Sequence, residues 1–330
     1  MYYRLFLFAV LALAIGCKNK GCDLPSEIAK VPVEVEIERL ERPFYQVQTK
    51  ADMLRFIEQN PLFAQKFLQR DLYPSDSDLV NALQGLATNE ELKKLAGEVE
   101  QKFGDMNTEQ QQLVTAFKVM KYHYPEFQEP QVKTFVSGFN QDFFISDSLL
   151  VLGLDFFAGK DASYRPDTYE YILKRYEREY MVPAAILLMS NRFNRAEPTN
   201  RNLLSEMVTA GKAYYFVQTV MPCTPDSLII GYTSREIADM QYNEGKVWAH
   251  FIEKSLLYDR NPFTLNKYIG ERPNTPEIDA RAPGRIGTWV GWQIVRAYME
   301  RHPEVTLPQL MAQTDFQKIF NDSKYKPERR

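Results

Sequence analysis

Histidine and cysteine are scarce in this chain, which contains three of each among its 330 residues. His123, His250 and His302 are far apart and form neither a His-x-x-x-His nor a His-x-His pair, so the short two-histidine signatures of zinc enzymes are absent. The cysteines form no Cys-x-x-Cys motif. We therefore expect neither a bound metal nor another cofactor.

Two further signatures of catalysis are also missing. The chain has no Gly-x-Ser-x-Gly string and no Gly-x-x-x-x-Gly-Lys-Ser/Thr string, which are the short marks of an α/β-hydrolase and of a P-loop. The formal net charge is −3 and no basic stripe is present, so nucleic acid is not an expected partner. The sequence therefore assigns no catalytic residue and predicts a protein that is not an enzyme.

The N-terminus carries an apolar run that is too short to cross a bilayer. Arg4 precedes the run Leu5 to Ile15, and Ala14-Ile15-Gly16-Cys17 has the form of a lipobox. Because a spanning helix needs about 20 apolar residues, residues 1–16 are predicted to be a cleaved signal peptide. Cys17 is then the lipid attachment site, and several acyl chains such as palmitate anchor a protein stably. An ordinary secretory signal is the alternative.

Lipidation of Cys17 leaves two cysteines, Cys22 and Cys223. In an oxidising periplasm these two could form a disulfide, which would hold the domain close to the bilayer, or they could remain thiols. The spacing alone does not decide between the two states. Residues 17–30 are polar and are predicted to form a lipidated tether, with a single globular domain over 31–330.

The remaining pattern is mainly helical, with 45% hydrophobic and 25% charged residues as in ordinary globular proteins. We expect a predominantly helical α+β fold in which a small antiparallel sheet packs with a helical layer. The predicted segments are strands near 31–38, 132–139 and 143–154, with a hairpin over 131–155, a helical layer over 49–124 and a C-terminal helical part over 165–325.

Glu244 is the polar residue that stands out. On a helix predicted from Thr233 to Tyr258, it falls near the centre of the apolar stripe. A buried carboxylate is costly unless it is paired, so we expect an ion pair with Arg285 or Arg296. A ligand-binding or catalytic carboxylate is the alternative, and an error in the helix phase is a third explanation.

A second predicted helix, over 284–301, is apolar almost all round. Gly287 and Gly291 would expose its backbone to a close neighbour, for which the Glu244 helix is the candidate. Outside the helices, the irregular segment 262–283 and the basic C-terminal tail 323–330 are candidate contact surfaces.

Several short strings occur in order along the whole mature chain: the lipobox at Cys17, Leu204 to Phe216 with Gly211-Lys212, Gly231-Tyr232-Thr233, Asn243-Glu244 followed by Trp248, Leu256-Leu257-Tyr258, Pro283-Gly284-Arg285-Ile286-Gly287, Gly291-Trp292-Gln293-Ile294-Val295-Arg296, and Ser323-Lys324-Tyr325-Lys326-Pro327. Together these strings resemble the GldB family of gliding-motility lipoproteins.

This resemblance implies a non-enzymatic component of the bacterial cell envelope that is required for gliding, in bacteria whose motility machinery is linked to type IX secretion. Its expected partners are the membrane, through the N-terminal lipid, and other envelope motility or secretion proteins. The expected location is the periplasmic face of the outer membrane rather than the inner membrane. The resemblance brings no catalytic residues.

A weaker similarity connects the order of elements with zincin-like metallopeptidase domains. The helix that would carry the zinc motif, predicted over 183–193, has neither histidine nor glutamate, so a shared fold would lack the metal ligands. The alternative function is a degenerate or unconventional envelope peptidase or hydrolase with Glu244 as general base. A carrier of a small apolar ligand is a third hypothesis.

Overall fold

The computed structural model describes residues 24–196, 199 and 201–328. The signal-peptide and lipobox predictions, with Cys17 and Cys22, therefore lie outside the described residues. Within them the chain forms 17 α-helices and one small four-stranded sheet. The predicted predominantly helical α+β fold is confirmed.

Nine helices belong to the N-terminal and central parts of the chain: α1 (Ser26–Ala29), α2 (Glu41–Phe44), α3 (Lys50–Gln59), α4 (Pro61–Lys66), α5 (Asp76–Ala87), α6 (Glu90–Phe103), α7 (Asn107–His123), α8 (Glu170–Leu173) and α9 (Arg178–Ser190). Eight follow: α10 (Leu203–Val220), α11 (Asp226–Ile230), α12 (Ser234–Tyr242), α13 (Glu244–Glu253), α14 (Pro262–Tyr268), α15 (Ile286–Arg301), α16 (Leu307–Ala312) and α17 (Phe316–Ser323). A short 3-10 helix lies at Arg70–Leu72.

The sheet is mixed rather than antiparallel. Its strands β1 (Ile37–Arg39), β2 (Gln131–Phe135), β3 (Phe143–Ile145) and β4 (Leu149–Gly153) lie in the order β1-β2-β4-β3. β1, β2 and β4 are parallel, and only β3 runs antiparallel to its neighbour β4.

The predicted hairpin between 132–139 and 143–154 is therefore wrong, because both hairpin strands come from the second segment. The chain turns after β3, where the hydroxyl oxygen of Ser146 accepts the N–H of Leu149 at 3.1 Å. β4 is buried on both faces, and such a strand has a continuous apolar sequence without alternation. Because the apolar sequence is continuous, it did not indicate the turn between β3 and β4. The first strand is also shorter than predicted, since only Ile37–Arg39 pairs with β2.

The sheet separates two hydrophobic cores. Leu150 and Leu152 of β4 face the larger core with the C-terminal helices, whereas Leu149 and Val151 face a smaller core built by α2 to α5. Side chains alternate between the faces of a strand, so β4 contributes to both cores. The helical layer predicted over 49–124 is consequently divided, since α6 and α7 pack on the larger core.

Glycines bring the backbones of α10 and α15 into close contact. A Cβ added to Gly211 would clash with the backbone of Gly291, and one added to Gly291 would clash with the backbone of Met207. Gly287 lies instead against Tyr268 of α14. The predicted close approach at Gly287 and Gly291 is confirmed, but the expected neighbour, the Glu244 helix, is wrong.

The chain is already attached to the body before residue 31. Ile28 of α1 is buried in the larger core, and the Lys118 ammonium of α7 donates a hydrogen bond to the carbonyl oxygen of Ala29 at 2.8 Å. The packed part of the domain thus includes the end of the predicted tether. Among the helices of the described residues, none has the length and apolar character needed to cross a membrane.

Candidate binding cleft

Two of the family-like strings meet at one cleft. The hydroxyl of Tyr232, which is buried, donates to the carbonyl oxygen of Gly284 at 2.6 Å. Gly231 ends α11 with φ 74°, and Arg285 precedes α15 with φ 58°. Glycine reaches this left-handed region without steric cost, so α11 can turn sharply and bring Tyr232 against the start of α15.

Arg285 is the central charge of this cleft. Its Nη1 donates to the Tyr214 hydroxyl at 3.1 Å, and its Nη2 donates to the carbonyl oxygen of Ile230 at 2.9 Å. Burial by itself lowers the pKa of Arg285, but the surrounding Tyr214, Tyr232 and Glu271 raise it above the ordinary arginine value. The guanidinium is thus a permanent buried charge.

Glu271 is the carboxylate that neutralises this charge. Its Oε1 lies 3.2 Å from Nε of Arg285. Arg175 holds the same carboxylate from the other side, with Nη1 to Oε1 at 3.0 Å and Nη2 to Oε2 at 2.7 Å. A two-point arginine–carboxylate pair is both strong and directional. We call the site formed by Arg175, Arg285 and Glu271 the arginine cleft.

The arginine cleft is a cavity of about 410 Å³ with many charged side chains in its walls. Glu170, Glu177, Glu179 and Glu236 add carboxylates to its walls, and other cations line it as well. Several wall charges are already paired, for example Glu177 with Lys102 at 3.1 Å. The cleft therefore has mixed charge rather than a single strong sign.

An apolar pocket of about 230 Å³ adjoins the arginine cleft. Arg175 and Arg285 line both cavities, together with Tyr180 and Gly231. The apolar walls are Phe143, Phe157, Ile172, Ala184, Leu187, Leu188, Leu228, Ile229 and Ile230. The two arginines therefore stand between a charged cavity and an apolar one.

Glu244 lies elsewhere and its predicted partners are wrong. α12 ends at Tyr242, so Glu244 is the first residue of α13 and not the middle of a longer helix. Its Oε1 accepts a hydrogen bond from the Tyr325 hydroxyl at 2.8 Å. The ring of Tyr325 packs edge-on against Trp248 of α13. The carboxylate thus attaches the C-terminal segment to α13.

Arg296 also has a different partner from the one predicted. Its Nη1 and Nη2 donate to the carboxylate of Asp226 at 2.8 and 2.7 Å. Its guanidinium also lies over the ring of Trp292, 3.9 Å from the centroid. Arg296 therefore joins α15 to α11 and has a structural role.

Only one cysteine of the predicted disulfide can be located, because Cys22 lies outside the described residues. Cys223 is exposed. Leu24, two residues after Cys22 in the sequence, lines the same surface cleft as Cys223. Pairing of the two cysteines remains a prediction.

Sequence reasoning missed both Arg175 and Glu271. Neither residue lies in a recognisable motif, and Glu271 falls in the segment 262–283 that the sequence marked only as irregular; its first part is in fact α14. Tyr232 and Arg285, which line the same cleft, do occur in family-like strings. The cleft can be identified only in the folded protein, where these strings lie next to α8 and the turn that follows it.

Two other buried ionisable groups were also missed. Lys212 of α10 donates to the carbonyl oxygens of Arg195, Met311 and Gln313 at 2.6, 3.2 and 2.7 Å, and burial lowers its pKa to about 8. Asp155, after β4, has its pKa raised to about 6 by burial.

The arrangement of the arginine cleft is suited to recognising charge. It contains two arginines, a shared carboxylate and an apolar neighbour. In the described part of the chain, no three histidine, cysteine, aspartate or glutamate side chains are grouped as metal ligands.

Comparison with known proteins gives one family. The sequence model of the gliding motility protein GldB matches residues 21–327, a range that includes the whole arginine cleft. No curated protein and no solved structure matches the chain, so the zincin-like fold stays a prediction. Because the match covers nearly all of the chain, this protein belongs to the GldB family of gliding motility proteins.

Proposed function

We propose that this protein is a lipid-anchored, non-enzymatic component of the gliding machinery that acts by binding other envelope proteins. The observation that carries the proposal is the family match over residues 21–327. A charged cleft beside an apolar pocket is consistent with such a role, since binding sites combine apolar surface with a few placed polar groups.

The anchor in this proposal is Cys17, with residues 1–16 as the signal peptide. Leu24 already lines the body of the domain, and an extended chain spans at most about 3.6 Å per residue. The domain would therefore lie within about 25 Å of the acylated end. We place it on the periplasmic face of the outer membrane, close to the motility and type IX secretion proteins with which it would act.

Replacement of the acylated cysteine tests the proposal. In cells whose only copy carries Cys17→Ala, we expect the protein to leave the membrane fraction and gliding to be lost. Asn19→Ala, a change in the same predicted tether, serves as the matched control and should glide normally. Normal gliding of Cys17→Ala cells would show that anchoring is not required.

A further inference from the structure

We propose that the arginine cleft binds an acidic peptide segment of a partner protein. The partner's carboxylate would replace Glu271 between Arg175 and Arg285, and an adjacent apolar side chain would enter the apolar pocket. This inference rests on the proposed function, because it names the surface through which an envelope binding protein would contact its partner.

The charge of Arg285 requires an anion at this position. Its side chain is 12% exposed, and its other hydrogen-bond partners, the Tyr214 hydroxyl and the Ile230 carbonyl, are neutral. Among the described residues, Glu271 is the carboxylate within ion-pair distance. A desolvated charge is costly without a counter-ion, so an anion has to occupy the place that Glu271 fills.

Glu271 can give up that place more easily than the arginines can. Its side chain is 47% exposed, whereas that of Arg175 is 24% exposed. Glu271 lies in the irregular segment between α14 and α15. A carboxylate that swings into water regains its hydration, while the buried guanidinium stays in the fold. Glu271 therefore acts as a resident substitute for a partner's carboxylate.

The geometry favours a carboxylate over other anions. Arg175 presents two N–H groups to the two oxygens of one carboxylate, the planar match for which arginine is suited. Six lysine and arginine side chains and five glutamates, Glu271 included, line the cavity, so exchanging Glu271 for one carboxylate of a partner keeps this charge balance. A single carboxylate on a peptide adds only one negative charge.

The apolar pocket selects the neighbour of that carboxylate. It shares Arg175 and Arg285 with the charged cavity, so an apolar side chain next to the acidic residue would reach it. Its volume of about 230 Å³ admits one side chain such as leucine or phenylalanine. Leu188, on the rim of the pocket, is 44% exposed and would be covered by the partner.

Peptide selection on the purified, detergent-solubilised full chain tests the ligand class. The probe is a phage-displayed library of random 12-residue peptides. Glu271→Gln should enrich sequences in which aspartate or glutamate adjoins a large apolar residue. The selected peptide should bind Glu271→Gln at least tenfold more tightly than the wild-type chain. Arg175→Gln should weaken its binding at least tenfold.

Asp279→Asn is the matched control, since Asp279 lies in the same segment but pairs with Arg281 at 3.6 Å, and neither residue lines the arginine cleft. It should bind peptide as the wild-type chain does, and thermal melts should show that all the variants fold. Selected peptides without a carboxylate, or equal binding by Arg175→Gln, would overturn the proposal. Arg175-dependent binding to phosphatidylglycerol vesicles, without peptide enrichment, would also overturn it in favour of lipid.

Crosslinking in living cells separates this inference from the proposed function. A photo-crosslinking residue at Leu188 should capture a partner segment containing an acidic and an apolar residue, and Arg175→Gln should abolish the capture. The same residue at Leu72, which is 76% exposed on the 3-10 helix, is the control position. If capture at Leu188 fails while Cys17→Ala still abolishes gliding, the cleft proposal is wrong and the anchored function stands.

Discussion

Tyr325 and Glu244 join the C-terminal segment of this protein to α13. The tyrosine hydroxyl donates to Glu244 Oε1 at 2.8 Å, and burial together with the carboxylate raises the pKa of Tyr325 above its usual range. Both residues belong to strings that resemble the GldB family. The hydrogen bond therefore gives a structural explanation for a carboxylate that the sequence offered as a candidate functional group.

Removing this hydroxyl should destabilise the fold. Tyr325→Phe leaves the half-buried carboxylate without its donor, so we expect a loss of about 1–3 kcal/mol in the free energy of unfolding. Glu244→Gln keeps an acceptor oxygen and should cost less. Urea unfolding measures both, with Tyr242→Phe as a control because Tyr242 is 68% exposed. An unchanged stability in Tyr325→Phe would show that the contact contributes nothing.

A glycine-to-alanine substitution should lower the stability of the protein at the α10–α15 contact and raise it at Gly85 of α5. Gly291→Ala should destabilise the protein by about 1–3 kcal/mol, because the added methyl group meets the Met207 backbone. Gly85→Ala in α5 meets no atom within 4 Å and should stabilise by about 0.5–1 kcal/mol through lost chain entropy. Thermal unfolding of the two variants checks the difference, and equal effects would contradict the proposed close packing.

Lys212 should produce a pH dependence of stability on the alkaline side. Since burial lowers its pKa from 10.5 to about 8, the folded state binds fewer protons than the unfolded state between these values. The contribution of Lys212 to the free energy of unfolding therefore rises with pH between about 8 and 10.5.

The comparison of Lys212→Met with wild type isolates this effect. The variant should lack the rise, measured by urea unfolding between pH 8 and 9.5. It should also be less stable at pH 7, because three carbonyl oxygens lose their donor. Lys30→Met, at an exposed position, is the control. A rise that persists in Lys212→Met would have to come from another group.

Asp155 should make the free energy of unfolding fall as the pH rises on the acidic side, which is opposite in sign to the effect of Lys212. Burial raises its pKa from 3.8 to about 6, so the folded state binds more protons in this window. The stability that this group contributes is fully present below about pH 4 and is lost as the pH rises through about 6. Its Oδ2 accepts the backbone N–H groups of Ser137 and Phe139 at 3.1 and 2.6 Å.

Asp155→Asn keeps an acceptor for those N–H groups and removes the buried charge. In urea unfolding the variant should lose the fall in stability between pH 4 and 6. Asp322→Asn changes a carboxylate of α17 that pairs with Lys318 and serves as a control. A fall that persists in Asp155→Asn would have to come from another group.

The cysteine prediction can be checked directly by peptide mapping. Leu24 and Cys223 line the same surface cleft, and Cys22 precedes Leu24 by two residues in the sequence. We therefore predict that Cys22 and Cys223 are linked in protein isolated from the envelope. Digestion without reductant should give one cross-linked peptide, which dithiothreitol separates into two. Two separate peptides, each alkylated before reduction, would contradict the disulfide.

Local sequence predicted the structure correctly where a single short segment determines its own conformation. The predicted helix start at Thr233 is confirmed, since α12 begins after Thr233 with a capping box to Glu236, and the apolar run after Gly284 predicted the buried helix α15. The family strings predicted the family. By contrast, the direction of β2 relative to β4 depends on a partner strand, and no pattern inside either segment could reveal it.

The sequence by itself determined the helical α+β class, the missing short catalytic motifs and the glycines at which helices approach. These follow from periodicity, spacing and residue size, which are local properties. The tertiary structure decided which charges meet: Arg285 with Glu271, Arg296 with Asp226 and Glu244 with Tyr325. Ion pairs and hydrogen bonds form across distances of a few ångströms between residues far apart in the chain, so only folding could bring Arg175, Glu271 and Arg285 into one cleft.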